Sequence, residues 1–317
     1  MDHILNEEEK VKLREAGRIA AIVRREGALK LLKAGTSFLE VMDYCEKRIL
    51  ELGGGIAWAQ LAVDSCAAHF CPEEDESGVT EAGQLIKIDT GVHIDGMIAD
   101  NAMTIEVGAP GGPEGIGTGG KWHDMIMASR NALTAAIAKV KDGVAISELG
   151  AAQSVEAEKL GYVTIKNLSG HTLAPYKVHA GISIPSFDTG ENEKVLAGMQ
   201  IAIEPFVTNG QGMIKAAGRS TIFMLNGSVS TRSPYAKKVL SFVKSQKGLP
   251  FTTRWLTREF GKTPTVLALR ELSRNRSFES YPPLVEVSGG MVAQFEHSMI
   301  VTKDGAEVYT RHPDDLW

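Results

Sequence analysis

Cysteine is scarce in this chain of 317 residues: only Cys45, Cys66 and Cys71, with no CxxC pair among them. An odd number at such spacing excludes a disulfide framework and a thiolate zinc site, and it points to a reducing compartment. Long apolar runs are also missing, so no stretch reads as a membrane span. The start, "MDHILNEEEK", carries acids where a secretory leader needs a basic flank, so a cytoplasmic protein is expected. Aspartate is missing from residues 206–280, which hold thirteen Lys or Arg against three Glu, a local charge of +10 in a chain whose net charge is −5. Such a basic block inside an acidic whole implies a local role for the block. The most telling absence is in "KIDTGVHIDGMIAD", residues 87–100: three aspartates in an apolar strand-like run, with no Lys or Arg between Asp89 and Asp100.

What is present fits a soluble α+β protein with a substantial core, at 43% hydrophobic and 23% charged residues. A helix is expected in "EEEKVKLREAGRIAAIVRREGALKLLKAG", with Val11, Leu13, Ile19, Ile22 and Val23 near one another on its surface. A second should start after Gly35, with Ser37 and Glu40 at capping-box spacing, and stop at "LGGG". From Trp122 this order recurs. A shift of 108 residues matches Gly35 to Gly143, Glu40 to Glu148, Leu52 to Leu160 and Gly53 to Gly161. Out of that register, "LIKID" ending at Asp89 faces "MQIAIE" ending at Glu204. Two similar halves joined back to back would bring both acids to one central site. The strip "GAPGGPEGIGTGG" reads as a loop between the halves, and the basic block as a helical interruption of the second.

If the turn of the opening hairpin is "HIDG", Val92 pairs with Met97 and Asp89 lies directly opposite Asp100. Facing carboxylates need a proton or a cation between them. Asp95 then belongs to the turn. An edge hairpin with solvated acids is the competing reading. Further acids in apolar strands weaken it: Glu204 in "IAIEPF" and Glu296 in "MVAQFEHSMIV", with His171 and His179 in "NLSGHTLAPYKVHAG". Four carboxylates and a histidine can hold two hard or borderline divalent cations.

The motifs "KIDTGVHIDGMIAD", "LSGH", "HAGISIP", "IEPF" and "AQFEH" resemble those of methionine aminopeptidases, which have the pita-bread fold: two pseudo-symmetric α/β halves around a central antiparallel sheet. The basic insertion, residues 206–286 within a single domain 1–317, resembles the type 2 branch, in its archaeal form. The resemblance implies metal ligands Asp89, Asp100, His171, Glu204 and Glu296, with Asp100 and Glu296 bridging two divalent cations. Fe²⁺, Mn²⁺, Co²⁺ and Zn²⁺ all suit such a donor set. It implies Glu204 as proton carrier, with His69 (in "AAHFCP") and His179 as further catalytic and substrate-binding residues. The expected activity is removal of N-terminal methionine from nascent chains with a small second residue, by a monomer with no membrane or specific DNA partner.

Departures lie upstream of the first histidine. "DSCAAHFCP" stands where the family usually has "NE(I/V)AAHYTP", and "AWA" where type 2 enzymes have "AFP", which makes Trp58 a candidate for the methionine pocket. Prolidases and aminopeptidases P share the ligand set, but they carry glycine after "EP" where this chain has Phe206, and a sizeable N-terminal domain for which the 88 residues before Asp89 leave little room. A ribosome- or RNA-binding protein on the same scaffold is the alternative from another class. The +10 insertion gives such contact an electrostatic basis, although a solvated helical pocket wall accounts for it more simply. "GIGTGGKW" approaches a phosphate-binding loop, but Trp122 stands where that loop needs Ser or Thr.

Overall fold

Asn6 opens the first helix, α1 (Glu7–Leu31), by accepting a hydrogen bond from the Glu9 amide at 3.0 Å while the Glu9 carboxylate accepts from the Asn6 amide at 2.9 Å. Three acids in the first turn face the positive end of the helix. Leu13, Ile19 and Val23 are buried and Ile22 is half-buried, whereas Val11 is 61% exposed, so the buried stripe starts at Leu13 instead of Val11. At Gly17 the helix lies directly on the C-terminal segment. A β-carbon there would stand 2.1 Å from the Tyr309 carbonyl oxygen.

The computed structural model describes residues 3–112, 117–274 and 278–315. Part of the Gly-Pro-rich strip, and Gly115 of the phosphate-loop-like motif, lie outside the described residues. The described part of that motif has another occupation. Glu106 accepts from the backbone amides of Lys121 at 3.0 Å and Trp122 at 2.8 Å, so a carboxylate of the protein sits at these amides.

The 108-residue recurrence is structural. Helix α2 (Phe38–Glu51) is matched by α4 (Ile146–Lys159) at that offset, the pair being separated by α3 (His123–Ile137). The matched glycines flank both helices in the left-handed region, Gly35 at φ 82° with Gly143 at 73°, and Gly53 at 89° with Gly161 at 80°. Glycine meets that backbone at low cost, which explains why it recurs. Each helix start carries one arm of a capping box: Ser37 Oγ accepts from the Glu40 amide, and Glu148 accepts from the Ala145 amide.

Among the described residues the central sheet has eight strands: β1 (Gly55–Val63), β2 (Leu85–Ile94), β3 (Met97–Glu106), β4 (Ser169–Thr172), β5 (Ser183–Pro185), β6 (Gln200–Ile203), β7 (Glu296–Val301) and β8 (Ala306–Val308). Their order is β1-β2-β3-β7-β6-β4-β5, with β8 also on β7, and every pair is antiparallel. Helices α1 and α2 cover the β1–β3 half, while α3 and α4 cover the other. This is the α+β two-half architecture expected from the sequence. No described helix is long and apolar enough to cross a membrane.

The hairpin register differs from the expectation. The turn has two residues, Asp95 (φ 50°) and Gly96 (φ 88°), so Ile94 pairs with Met97. Asp89 therefore pairs with Ala102, and Asp100 with Gly91. The two acids are diagonal neighbours on one face instead of directly opposed. Two consecutive positive φ angles make the primed turn that matches strand twist, and an Asp-Gly pair supplies it.

The basic segment folds on a small core of its own. Helices α5 (Pro234–Ser245), α6 (Thr253–Phe260) and α7 (Lys262–Leu272) bury Val239, Leu240, Phe251, Leu256 and Leu272. Beside them, Ile222–Leu225 pairs with Phe251–Thr252 and Phe278–Tyr281.

Gly17→Ala forces a β-carbon against backbone that has no room to move. We expect it to destabilise the fold by ~1–3 kcal/mol, measured by denaturant unfolding, as overpacked cores do. A wild-type midpoint would contradict this packing of α1 on Tyr309.

Candidate metal centre

The strand registers place the acids in two adjacent rows across one face of the sheet. In the first row Asp89 pairs with Ala102, and Ala102 with Glu296. Ile203 pairs with His297, and the same register carried one residue further brings Glu204 beside Glu296. In the second row Gly91 pairs with Asp100, Ser298 pairs with Ala202, and Ala202 with His171. The Asp100 amide donates to Ser298 Oγ at 3.1 Å, which joins the two parts of that row. The residues between the acids and the histidine are Gly, Ala and Ser, small enough to leave space above the sheet.

Ligand atoms of Asp100, His171 and Glu296 all lie within 4.8 Å of one another, and all three residues are buried. His171 Nε2 stands 3.6 Å from Asp100 and 3.8 Å from Glu204. Burial holds the His171 ring neutral, with its pKa pushed down to about 3, so this is an imidazole lone pair among carboxylates and not an ion pair. Burial also pushes Asp89 up to about 6, against hydrogen bonds from Trp58 and Gln60 that pull it down. Asp100, Glu204 and Glu296 are raised well above the carboxylate range, first by burial and then by neighbouring carboxylate charge, that of Asp89 for Asp100 and chiefly that of Asp100 for Glu204 and Glu296.

Asp100 Oδ1 and Glu296 Oε1 are buried without a hydrogen-bond partner. Orphaned carboxylate oxygens beside a neutral imidazole form the mixed O/N donor set that divalent cations prefer, so these residues fit a metal.

Asp89 is gripped at both oxygens. Trp58 Nε1 donates to one at 2.7 Å and Gln60 Nε2 to the other at 2.8 Å. Trp58 packs flat on Gly91, where a β-carbon would come within 2.4 Å of the indole. The residue expected in the methionine pocket thus lines the cavity and also holds an acid. Gln294 does the same for Glu204, donating from Nε2 at 3.2 Å. Sequence reasoning missed both glutamines; the signal was a polar side chain in an apolar strand, two residues from Glu296 in one case.

The centre floors a cavity of about 480 Å³. His179 stands edge-on to His171 with ring centroids 4.6 Å apart. His69 stands edge-on to Tyr281 at 5.3 Å, and its pKa is lowered to about 4 by burial. Both histidines line the cavity with Asp89, Asp100, Glu204 and Glu296. Ile222, Met224, Pro250 and Tyr281 bring the basic segment to the same cavity as an apolar wall.

The model of metallopeptidase family M24 matches residues 11–303. The chain belongs to metallopeptidase family M24. Members of that family are metal-dependent hydrolases, and the donor set above agrees with such chemistry. A methionine aminopeptidase of Pyrococcus horikoshii is 42% identical over 302 residues, 94% of this chain and 98% of the relative. Among solved structures, a Thermotoga maritima methionine aminopeptidase superposes with a TM-score of 0.70 at 20% identity, covering 98% of this chain and 100% of that one. An Arx1 from a thermophile gives 0.85 at 18% identity, covering 99% and 93%. At such identities the structural likeness concerns the M24 fold alone.

Each buried carboxyl here binds its proton more tightly in the folded than in the unfolded chain. The metal-free fold is therefore favoured below the ordinary carboxylate range, ~4, and loses that contribution as pH rises through about 6 at Asp89. Burial lowers the pKa of His69, His171, His179 and His297, which favours the fold as pH rises toward ~6.5, so the carboxyl contribution is read above that point. We expect the metal-free melting temperature to fall between about pH 6.5 and pH 7.5, and saturating Zn²⁺ or Mn²⁺ to reverse the loss, by about 2.7 kcal/mol at a hundredfold excess over Kd. A metal-free melting temperature that rises over this range would contradict the assignment.

Trp58→Phe keeps the ring on Gly91 but removes the N–H. Its expected effect is a roughly 10- to 100-fold weaker metal affinity by calorimetry, with Gln60→Leu acting in the same direction. Unchanged affinity in both variants would show that these hydrogen bonds do not orient Asp89.

Proposed function

We propose that the chain is a dinuclear aminopeptidase that removes N-terminal methionine from nascent chains and peptides with a small second residue. The observation that carries this reading is the double row: Asp89, Asp100, His171, Glu204 and Glu296 reach one cavity floor from five strand segments, with His69 and His179 on the cavity wall. Methionine aminopeptidases are the relatives that match at 33–42% identity over nearly the whole chain.

Bound to this donor set, two divalent cations would lower the pKa of a water and polarise a carbonyl. The chain's own groups do the rest. Asp89, fixed by Trp58 and Gln60, marks the end of the site for the substrate's free α-amine, where carboxylates favour a cation. Glu204, raised in pKa and steadied by Gln294, takes a proton and returns it to the leaving amine. His179 donates to the oxygen on which charge develops, and His69 holds the backbone after the first residue. The methionine side chain, unbranched and polarizable, suits a wall that contains Met224, Ile222 and Tyr281.

Within one domain, 1–317, we read 206–286 as an insertion whose task is to build that wall. Arg254 pairs with Asp43 and Glu46, Arg258 with Asp43 and Glu74, and Lys262 with Asp75. Three cations of the basic block, Arg254, Arg258 and Lys262, are thus engaged on the protein's own acids, which favours the wall over a ribosome contact.

The test is hydrolysis of Met-Ala, Met-Leu and Ala-Pro peptides by metal-reconstituted protein, with and without chelator. Release of methionine from Met-Ala that chelation abolishes is expected, with little action on the other two. Glu204→Ala, assayed at metal concentrations that restore full occupancy, should lower kcat by roughly 10²–10⁴-fold. Preferential cleavage of the Ala-Pro peptide, or no cleavage with metal bound, would overturn the reading.

A further inference from the structure

His69 has a backbone φ of 66°, the left-handed region. A non-glycine residue there costs of order 1–3 kcal/mol and keeps the conformation only where its surroundings fix it. What surrounds it comes largely from the basic segment. Just before it, Ala68 pairs with Leu284, and the Ser65 carbonyl accepts from the Glu286 amide at 2.9 Å. Just after it, the Cys71 carbonyl accepts from Thr221 Oγ1 at 3.0 Å and the Pro72 carbonyl from Arg254 Nε at 3.1 Å. Tyr281 closes on the ring.

Arg254 is the centre of this arrangement. Its side chain is fully buried, and its fork reaches both Glu46 oxygens, from Nη1 at 2.9 Å and Nη2 at 2.6 Å, with Asp43 beside it. Trp255 Nε1 adds a hydrogen bond to Glu46 at 2.8 Å, and Thr253 Oγ1 one to Glu73 at 3.1 Å. A buried ion pair contributes little net stability over well-packed apolar side chains, and its best-attested use is to fix register. Here the guanidinium fixes three parts at once: the start of α6, helix α2, and the carbonyl three residues after His69.

We propose that Arg254 is a positioning residue, and that its buried network latches the basic segment onto helix α2 so that the segment after His69 holds that histidine in its left-handed backbone, ring turned into the cavity. This goes beyond the proposed activity but rests on it for the role of His69.

The experiment is a double-mutant cycle on the Zn²⁺-loaded, full-length protein with Met-Ala peptide. Arg254→Met is expected to lower kcat/KM by roughly 10- to 100-fold, as small misplacements of site groups do, and to cost little further in a His69→Ala background. Thr221→Val, which removes one hydrogen bond, keeps the test open if Arg254→Met does not fold; its smaller loss should also vanish in that background. Lys262→Ala, which cuts only the exposed pair with Asp75, should behave as wild type. The imidazole resonance of His69, assigned by its disappearance in His69→Ala, should shift in Arg254→Met and Thr221→Val but not in Lys262→Ala. Equal losses with and without His69, or an unmoved resonance, would overturn the latch. Wild-type turnover by His69→Ala would instead count against the catalytic reading, and the resonance would still decide the latch.

Discussion

Asp89, Asp100, Glu204 and Glu296 repel one another on the floor of a cavity whose described lining residues include no Lys or Arg, and much of the architecture serves to hold them there. Burial alone raises each carboxyl, and their mutual charge raises three of them further. Such a group survives in a folded protein only if a proton or a cation offsets the charge. The donor geometry favours the cation: Asp100, His171 and Glu296 already converge within 4.8 Å, and neighbouring side chains donate to the oxygens of Asp89 and Glu204 in ways that orient them.

The internal repeat explains how one chain delivers these groups to one face. Helices α2 and α4 repeat at a fixed offset, with left-handed glycines at both ends. Each half then supplies a strand that brings an acid to this face, Asp89 in the middle of β2 and Glu204 one residue beyond the end of β6. Antiparallel pairing through β3 and β7 sets the two rows in phase, so every candidate ligand projects to the same side. A register slip of one residue anywhere between β2 and β6 would send part of the set to the opposite face.

Much of this was legible in the sequence because acids inside apolar strands break the alternation that burial requires. The helices and their glycine stops were legible for a similar local reason. The hairpin register was not: a four-residue turn and a two-residue turn both fit "HIDG", and the choice rests on Asp95 and Gly96 both taking positive φ. The grip of Trp58 and Gln60 on Asp89 was out of reach, since it depends on how β1 pairs with β2 across a bulge between Ile56 and Trp58. The Arg254 network was equally hidden, because Glu46 lies 208 residues away in the chain. Composition revealed that the segment was basic, but not that Arg254, Arg258 and Lys262 face acids of the same molecule.

The central claim is that cations, not protons, balance the buried carboxylates. Anomalous diffraction from crystals equilibrated with Mn²⁺ near neutral pH tests it directly. The account predicts two peaks over the sheet, one on the Asp89 side and one on the His171 side, with Asp100 and Glu296 between them. No anomalous signal there, with Asp100 and Glu296 joined instead by a short carboxyl–carboxylate hydrogen bond, would contradict it.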